Sequence, residues 1–169
     1  MRKYIYVLKV FCLMLVLTSC CVKYTFKGAN LPKEVKTFSV TYIENKASIV
    51  APQLSNVLTE KLKNKLTNET SLKSVRTDGD LQFSGFISNY SVSNAGQQSN
   101  NQVANNRLTI TVDIVCKNLK DTTLNFKQQF TNFADFPGTQ NLNSVETKLI
   151  NDISDLLVIE IFNKAVINW

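Results

Sequence analysis

Hydrophobic residues along this chain switch between a two-residue and a three-to-four-residue rhythm, and each switch marks an element. Residues 35–43 (VKTFSVTYI) are rich in β-branched and aromatic side chains and put Phe38, Val40 and Tyr42 on one face, which predicts a strand. After a turn at Asn45, Leu54, Val57, Leu58, Leu62 and Leu66 recur at helical spacing, with Pro52 in the first turn. Leu72–Arg76 reads as a short strand and Thr77-Asp78-Gly79-Asp80 as a turn. A strand through Leu81–Val92 alternates imperfectly: Leu81 and Phe83 share one face, Phe86, Tyr90 and Val92 the other. Gly85 at the change of phase predicts a bulge there. Residues 93–106, almost wholly small and amide side chains, form a low-complexity loop too polar to pack.

The clearest strand follows. Leu108, Ile110, Val112, Ile114 and Cys116 alternate with Arg107, Thr109, Thr111, Asp113, Val115 and Lys117, as in a sheet buried on one face only. After a turn at Asp121, Leu124, Phe126, Gln128 and Phe130 begin the last strand. Beyond FADFPGTQ, Asn143 and Glu146 fit a capping box opening a terminal helix. There Val145, Leu149, Ile153, Leu157, Ile161, Ala165 and Trp169 recur every fourth residue, flanked by Leu156, Val158, Phe162 and Val166. Asp155, Glu160 and Lys164 interrupt this apolar surface, which argues for core packing and against a membrane span. The order β-α-β-β-β-β-α predicts an α+β fold: two helices on one face of a mixed, mostly antiparallel sheet. The first two strands are parallel through a right-handed crossover and the later strands pair as hairpins.

The N-terminus carries a different signal. Arg2, Lys3 and Lys9 precede an apolar run, Val10–Leu17, that is shorter than the roughly 20 residues a membrane-spanning helix needs. Leu17-Thr18-Ser19-Cys20 then resembles a bacterial lipobox, in which the cysteine becomes the lipidated first residue. Cutting before Cys21 would place Ser19 and Cys20 in the small-residue slots and lose the match. Residues 1–19 thus read as a lipoprotein signal peptide, 20–34 as a lipidated tether broken by Gly28 and Pro32, and 35–169 as one domain. A plain signal peptide, leaving both cysteines as thiols, is the competing reading.

Composition narrows the chemistry. Of 19 Lys and Arg, three fall in the signal segment, leaving 16 against 13 acids, a balance of +3 instead of the whole-chain +6. With export and scattered charge, nucleic acid is not an expected partner. The lysines at 61, 63 and 65, with Glu60, read as a solvated helix face sooner than as a lipid-binding run. The absence of histidine removes Ser-His-Asp and Cys-His pairs, HExxH zinc sites and any imidazole base. The five glycines form no phosphate loop, and Asp78-Gly79-Asp80 lacks further ligands at calcium-loop spacing, so it reads as turn chemistry. No two acids are placed for carboxylate catalysis, so no enzyme is expected. An oxidising compartment allows a Cys21–Cys116 disulfide, but Cys116 reads more simply as a buried strand residue.

Cys20, GDLQFSGFISNYSVS, NRLTITV, the FADF corner and the ending IFNKAVINW, taken in order and spacing, resemble a divergent branch of the LptE family of lipopolysaccharide-assembly lipoproteins. The resemblance runs from Tyr24-Thr25-Phe26-Lys27-Gly28 onward. It implies a non-enzymatic lipoprotein with no cofactor besides the covalent (palmitate-type) lipid on Cys20. Its implied partners are lipopolysaccharide and the LptD-type outer-membrane β-barrel, whose lumen it plugs and whose assembly it assists. A polar outward sheet face suits a polar barrel interior. Arg76 and Arg107, the two arginines outside the signal, are with Lys73 and Lys117 the candidate lipopolysaccharide contacts, since Arg and Lys hold phosphates by charge-assisted hydrogen bonds. Ordinary solvated charge is an equal reading for each. Cys at position 21, where an Asp would resemble an inner-membrane retention signal, together with the lack of acids in 21–25, implies periplasm-facing attachment to the outer membrane. The alternative is an auxiliary lipoprotein of a periplasmic transport system that binds a small lipid between helices and sheet. We expect Cys20→Ala to abolish incorporation of radiolabelled palmitate and Cys21→Ala to leave it intact. Labelling that survives the first change would move the anchor.

Overall fold

The computed structural model describes residues 31–95 and 105–167. In chain order these form β1 (Thr37–Val40), β2 (Glu44–Asn45), α1 (Leu54–Glu69), β3 (Lys73–Ser74), β4 (Leu81–Ala95), β5 (Asn105–Asn118), a 3-10 turn (Thr122–Leu124), β6 (Phe126–Pro137) and α2 (Leu142–Phe162), which ends in a π-helical turn (Asn163–Ile167). The sheet order is β3-β1-β4-β5-β6, with β2 also on β4. The ladders that β1 makes with β3 and β4, and β2 with β4, are short and parallel. The two long ladders, β4–β5 and β5–β6, are antiparallel. The α+β class, the two helices and the mixed, mostly antiparallel sheet agree with the sequence pattern.

Both helices cover one face. Leu54, Leu58, Leu62 and Leu66 of α1, which lies over β1, β2 and β3, and Ile150, Ile153, Leu157 and Ile161 of α2, which lies over β5 and β6, lose all solvent exposure, as do Leu108, Ile110, Val112 and Ile114 of β5. Burying each such aliphatic side chain contributes about 1.5–3 kcal/mol, so this interlayer supplies most of the drive to fold. Gln53 and Thr147 (3.1 Å) and Lys61 and Asp155 (2.5 Å) join the helices along their outer margins.

Several expectations need correction. The first strand stops at Val40, and Tyr42 lies in solvent at 54% exposure. The chain leaves the ladder there because the Ile43 amide donates to Thr59 Oγ1 of α1 (3.1 Å), so Ile43 is buried in place of Tyr42. The second strand is only Lys73–Ser74, and Leu124 lies in the 3-10 turn outside β6. The bulge is not at Gly85: the β4–β5 register shifts between Ile87 and Asn89, which returns Tyr90 to the helix side, where it is buried, and pairs Val92 with the inward Leu108. Gly85 has another cause, because a Cβ there would stand 2.2 Å from the Asp113 carbonyl oxygen. The polar stretch 93–106 is partly strand, with Asn94 opposite Asn106 and Ala95 opposite Asn105; its residues 96–104 lie outside the described residues. FADF is no corner but the last part of β6. The cap of α2 is Asn141, whose side chain accepts from the Asn143 amide (3.1 Å), so the Asn143 capping box does not form. Leu156 is 46% exposed, because only one flank of the every-fourth stripe faces the core.

The largest departure concerns β3 and β4. They do not form a hairpin but flank β1, one on each side and both parallel to it. Residues 75–80 must therefore cross β1. They do so on the side away from the helices, where the Gly79 amide donates to Ser39 Oγ (3.3 Å). A Cβ on Gly79 would stand 2.5 Å from the Phe38 carbonyl carbon and 2.6 Å from the Ser39 amide nitrogen. Asp78, just before, takes φ 57°, in the left-handed region. Since backbone cannot yield as a side-chain tip can, Gly79→Ala should cost about 1–3 kcal/mol as an overpacking change. Urea unfolding will measure it, and an unchanged midpoint would mean that the crossing is not closed as described.

Candidate functional site

The helices occupy one side of the sheet, so the surface left for a partner is the other side of β4, β5 and β6. Its side chains satisfy one another across the strands. Arg107 sends a two-pronged hydrogen bond to Asp135 (Nε to Oδ1 2.7 Å, Nη2 to Oδ2 2.9 Å) and stacks 3.7 Å above the Phe133 ring. The Thr111 and Thr131 hydroxyls meet at 3.0 Å, and Gln129 reaches Asp113 at 3.3 Å. The hydrogen bond from Arg107 holds the Asp135 carboxyl below its ordinary pKa, and the same bond raises that of the guanidinium. The result is a polar face on which Arg107 and Asp135 neutralise each other and Thr111, Thr131, Asp113 and Gln129 share hydrogen bonds, while Lys127 makes no ion pair among the described residues.

The four candidate cations fall into two groups. Lys73 pairs with Thr37, and Lys117 with Gln82, in register with residues on the outward side, so both stand at one end of that face. They are separated by three interstrand spacings, about 14 Å. Arg76 follows β3 at the same end, and all three are exposed, with no ion pair among the described residues. Arg107 sits ten residues along β5 from Lys117, about 33 Å away, and is engaged by Asp135. Lysine 120, at the same end as Lys117, is also engaged, reaching Asp80 Oδ1 at 3.1 Å. Cys20 lies outside the described residues.

Sequence reasoning missed the residue that organises the basic end. The Asp80 carboxylate accepts from the Lys36 amide (3.0 Å), the Thr37 amide (3.0 Å) and the Thr37 hydroxyl (2.9 Å). These, the Lys36 amide foremost, together with Lys120, hold its carboxyl far below the usual carboxylate range. A lone Asp after Gly gives no hint of this, because its backbone and hydroxyl donors, Lys36 and Thr37, lie more than forty residues earlier, at and just before the start of β1. Tyr90 also gained a role only through the bulge. Its hydroxyl donates to Glu146 Oε1 of α2 (2.6 Å), and burial first, then Glu146, raises its pKa. Cys116 is a free thiol facing the helices, pushed up to about 12 by burial, and so is inert packing.

The alternative of a small lipid between helices and sheet meets facing side chains, Leu58, Leu62, Ile110, Ile153 and Leu157, that are fully buried. A cavity of about 440 Å³ does exist, but it lies elsewhere, between residues 31–35 and the end of α1, lined by Leu31, Pro32, Val35 and Leu72 with Lys33 and Glu69.

The sequence profile of the LptE family, described as lipopolysaccharide-assembly, matches residues 35–165, nearly the whole described domain. The chain belongs to the LptE family. Membership places it among non-catalytic lipoproteins of lipopolysaccharide assembly that reside in the outer membrane. No helix among the described residues is long and apolar enough to cross a membrane. No curated protein sequence matches the chain. Among solved structures, a minor lipoprotein from Acinetobacter baumannii is similar, at 17% identity and a TM-score of 0.51, covering 77% of this chain and 91% of that one. A Xanthomonas campestris protein of the DUF330 family is similar at 9% identity and a TM-score of 0.56, covering 82% and 88%. At these identities both speak for the fold alone.

Asp80 offers a direct check on the basic end. Its folded pKa lies below the unfolded value of about 3.9, so its stabilisation is present above that pH and fades as the pH falls toward the folded value. Asp80→Asn should lower the melting temperature at pH 7, with the gap to wild type narrowing below about pH 4. A gap that stays constant down to pH 2 would show that the carboxylate charge is not what β1 uses.

Proposed function

We propose that this LptE-family lipoprotein acts without catalysis, as the lumen plug of an LptD-type outer-membrane β-barrel, which it helps assemble while lipopolysaccharide passes to the outer leaflet. The observation that carries the reading is the outward face of β4–β5–β6, where charge and hydroxyl pairs run across the strands with Phe133 as its one strongly exposed large apolar residue. Barrel interiors are polar and wet, so a face whose polar groups largely bond one another can lie against such a wall at little desolvation cost, and the wall's own polar groups and water can meet what stays unpaired. Lipid attachment at Cys20 would hold the domain on the periplasmic side of the outer membrane.

Lipopolysaccharide carries phosphates and acidic sugars, and the unpaired cations Lys73, Arg76 and Lys117 at one end of the face are the contacts this reading assigns to them. Arg107 belongs to the same set by charge, but its fork to Asp135 and its stacking on Phe133 leave it chiefly a scaffold for the opposite end. The packed interlayer favours the plug over a carrier with a lipid between helices and sheet.

The test is a native pull-down with a C-terminal tag from outer membranes solubilised in mild detergent. One large β-barrel protein at near-equal amount is the expected partner. An inner-membrane transporter, or no protein but a bound small lipid, would overturn the plug and favour the transport-auxiliary alternative. A charge-reversed Lys73→Glu/Arg76→Glu/Lys117→Glu variant should keep the barrel and lose lipopolysaccharide from the complex.

A further inference from the structure

The outer edge of β6 has no partner among the described residues. Among the described residues β6 is a terminal strand hydrogen-bonded to β5 alone over Phe126–Pro137, twelve residues and about 40 Å of edge. Natural edges of this length are usually blunted by charge, proline, bulges or a covering element. Here the devices amount to Lys127 near one end and Pro137 at the other, and the β5–β6 ladder runs without a register shift. The helix above does not close the edge. Asn132 Nδ2 donates to Glu160 Oε1 (2.9 Å), which fixes the flank of α2 over β6. Leu156, one turn before Glu160 and on the same side of the helix, stands exposed along that margin, with Ile159 also 40% exposed.

We infer that β6 pairs with β6 of a second copy, antiparallel about a two-fold axis through Thr131, so that the two sheets become one. The chain's own pattern selects this register. Keeping both helix layers on one side requires residues of the same face to oppose each other. Among registers that do so, the one centred on Thr131 sets Lys127 against Asp135 of the second copy, twice by symmetry, while overlapping nearly the whole strand. Lys127 is exposed and makes no ion pair within its own chain among the described residues, whereas Asp135 already carries Arg107 on its other side. The row across the joint then reads Arg107, Asp135, Lys127, with alternating sign. On the same face Gln129 covers the exposed Phe133, and the Leu156 margins of the two helices approach each other. Cross-strand pairs of this kind are the unit of sheet stabilisation. This contact is available to the lipoprotein outside a barrel lumen, and it is independent of which barrel, if any, receives the monomer.

The test uses the full-length lipoprotein, purified in detergent and carrying Cys21→Ala, with a cysteine placed at Thr131 or, for comparison, at Thr109. At the two-fold axis a residue opposes its own copy at about 4.5–5.5 Å, within disulfide reach. Thr109 and its copy are separated by at least three strand spacings, about 14 Å, beyond reach. Mild oxidation should convert Thr131→Cys, and not Thr109→Cys, to a covalent dimer. Sedimentation should give a dimer for the chain with Cys21→Ala alone. Lys127→Glu should raise its dissociation constant at least about tenfold, since two attractive cross-strand pairs become repulsive, with an unchanged circular dichroism spectrum. A monomer at all concentrations, cross-linking at both positions alike, or a Thr131→Cys adduct only with another protein would overturn the pairing.

Discussion

One crossing decides the layout of this sheet. After β3 the chain must pass over β1 to begin β4 on its far side, and Gly79 marks the place where the two backbones come too close for any side chain. Asp80 then locks the crossing by collecting two amides and a hydroxyl from the start of β1, with Lys120 on its other oxygen. Because the crossing uses the side away from the helices, α1 and α2 keep the opposite side to themselves. Because β4 starts next to β1 and not next to β3, the long β4–β5–β6 meander grows away from the parallel part. The outward face of that meander follows from this placement.

That face is where the physical chemistry of the domain and its family membership meet. A surface meant for solvent alone has no need of an Arg–Asp fork stacked on phenylalanine, or of a threonine pair held across strands. A surface meant for an apolar partner would not carry them at all. Matched polar groups give a face that can move between water and a polar enclosure at little cost, since few bonds to water are left unreplaced. The unmatched Lys73, Arg76 and Lys117 stand instead along one end of the sheet, spread from β3 across β1 and β4 to β5, near Asp80 and Lys120. The described domain therefore separates a polar face with cross-strand hydrogen bonds from a basic end.

Much of the fold was legible in the sequence because strong periodicity survives tertiary context. Leu108 to Cys116 faced the core as its alternation required, and both helices lay where the three-to-four spacing put them. What failed was local phase. The bulge was assigned to Gly85 because glycine permits one, whereas that glycine answers the close approach of the Asp113 carbonyl and the register slips two residues later. The α2 cap was assigned two residues late because two asparagines compete for one role, and only the backbone geometry chooses Asn141. The site was less legible than the fold. Arg107 could be recognised as one of few arginines, but its pairing with Asp135 depends on the β5–β6 register. The contacts of Asp80 depend on a crossing that no local pattern announces.

We propose that the outward face of β4–β5–β6 is the surface presented to a polar barrel wall. In-cell photocrosslinking tests it most directly, with a photoreactive phenylalanine analogue placed at Thr109 on that face and, for reference, at the buried Leu157 on the helix side. A single high-mass adduct from Thr109 with one outer-membrane β-barrel protein is expected, and none from Leu157. No adduct from Thr109, or adducts only with soluble periplasmic proteins, would contradict it.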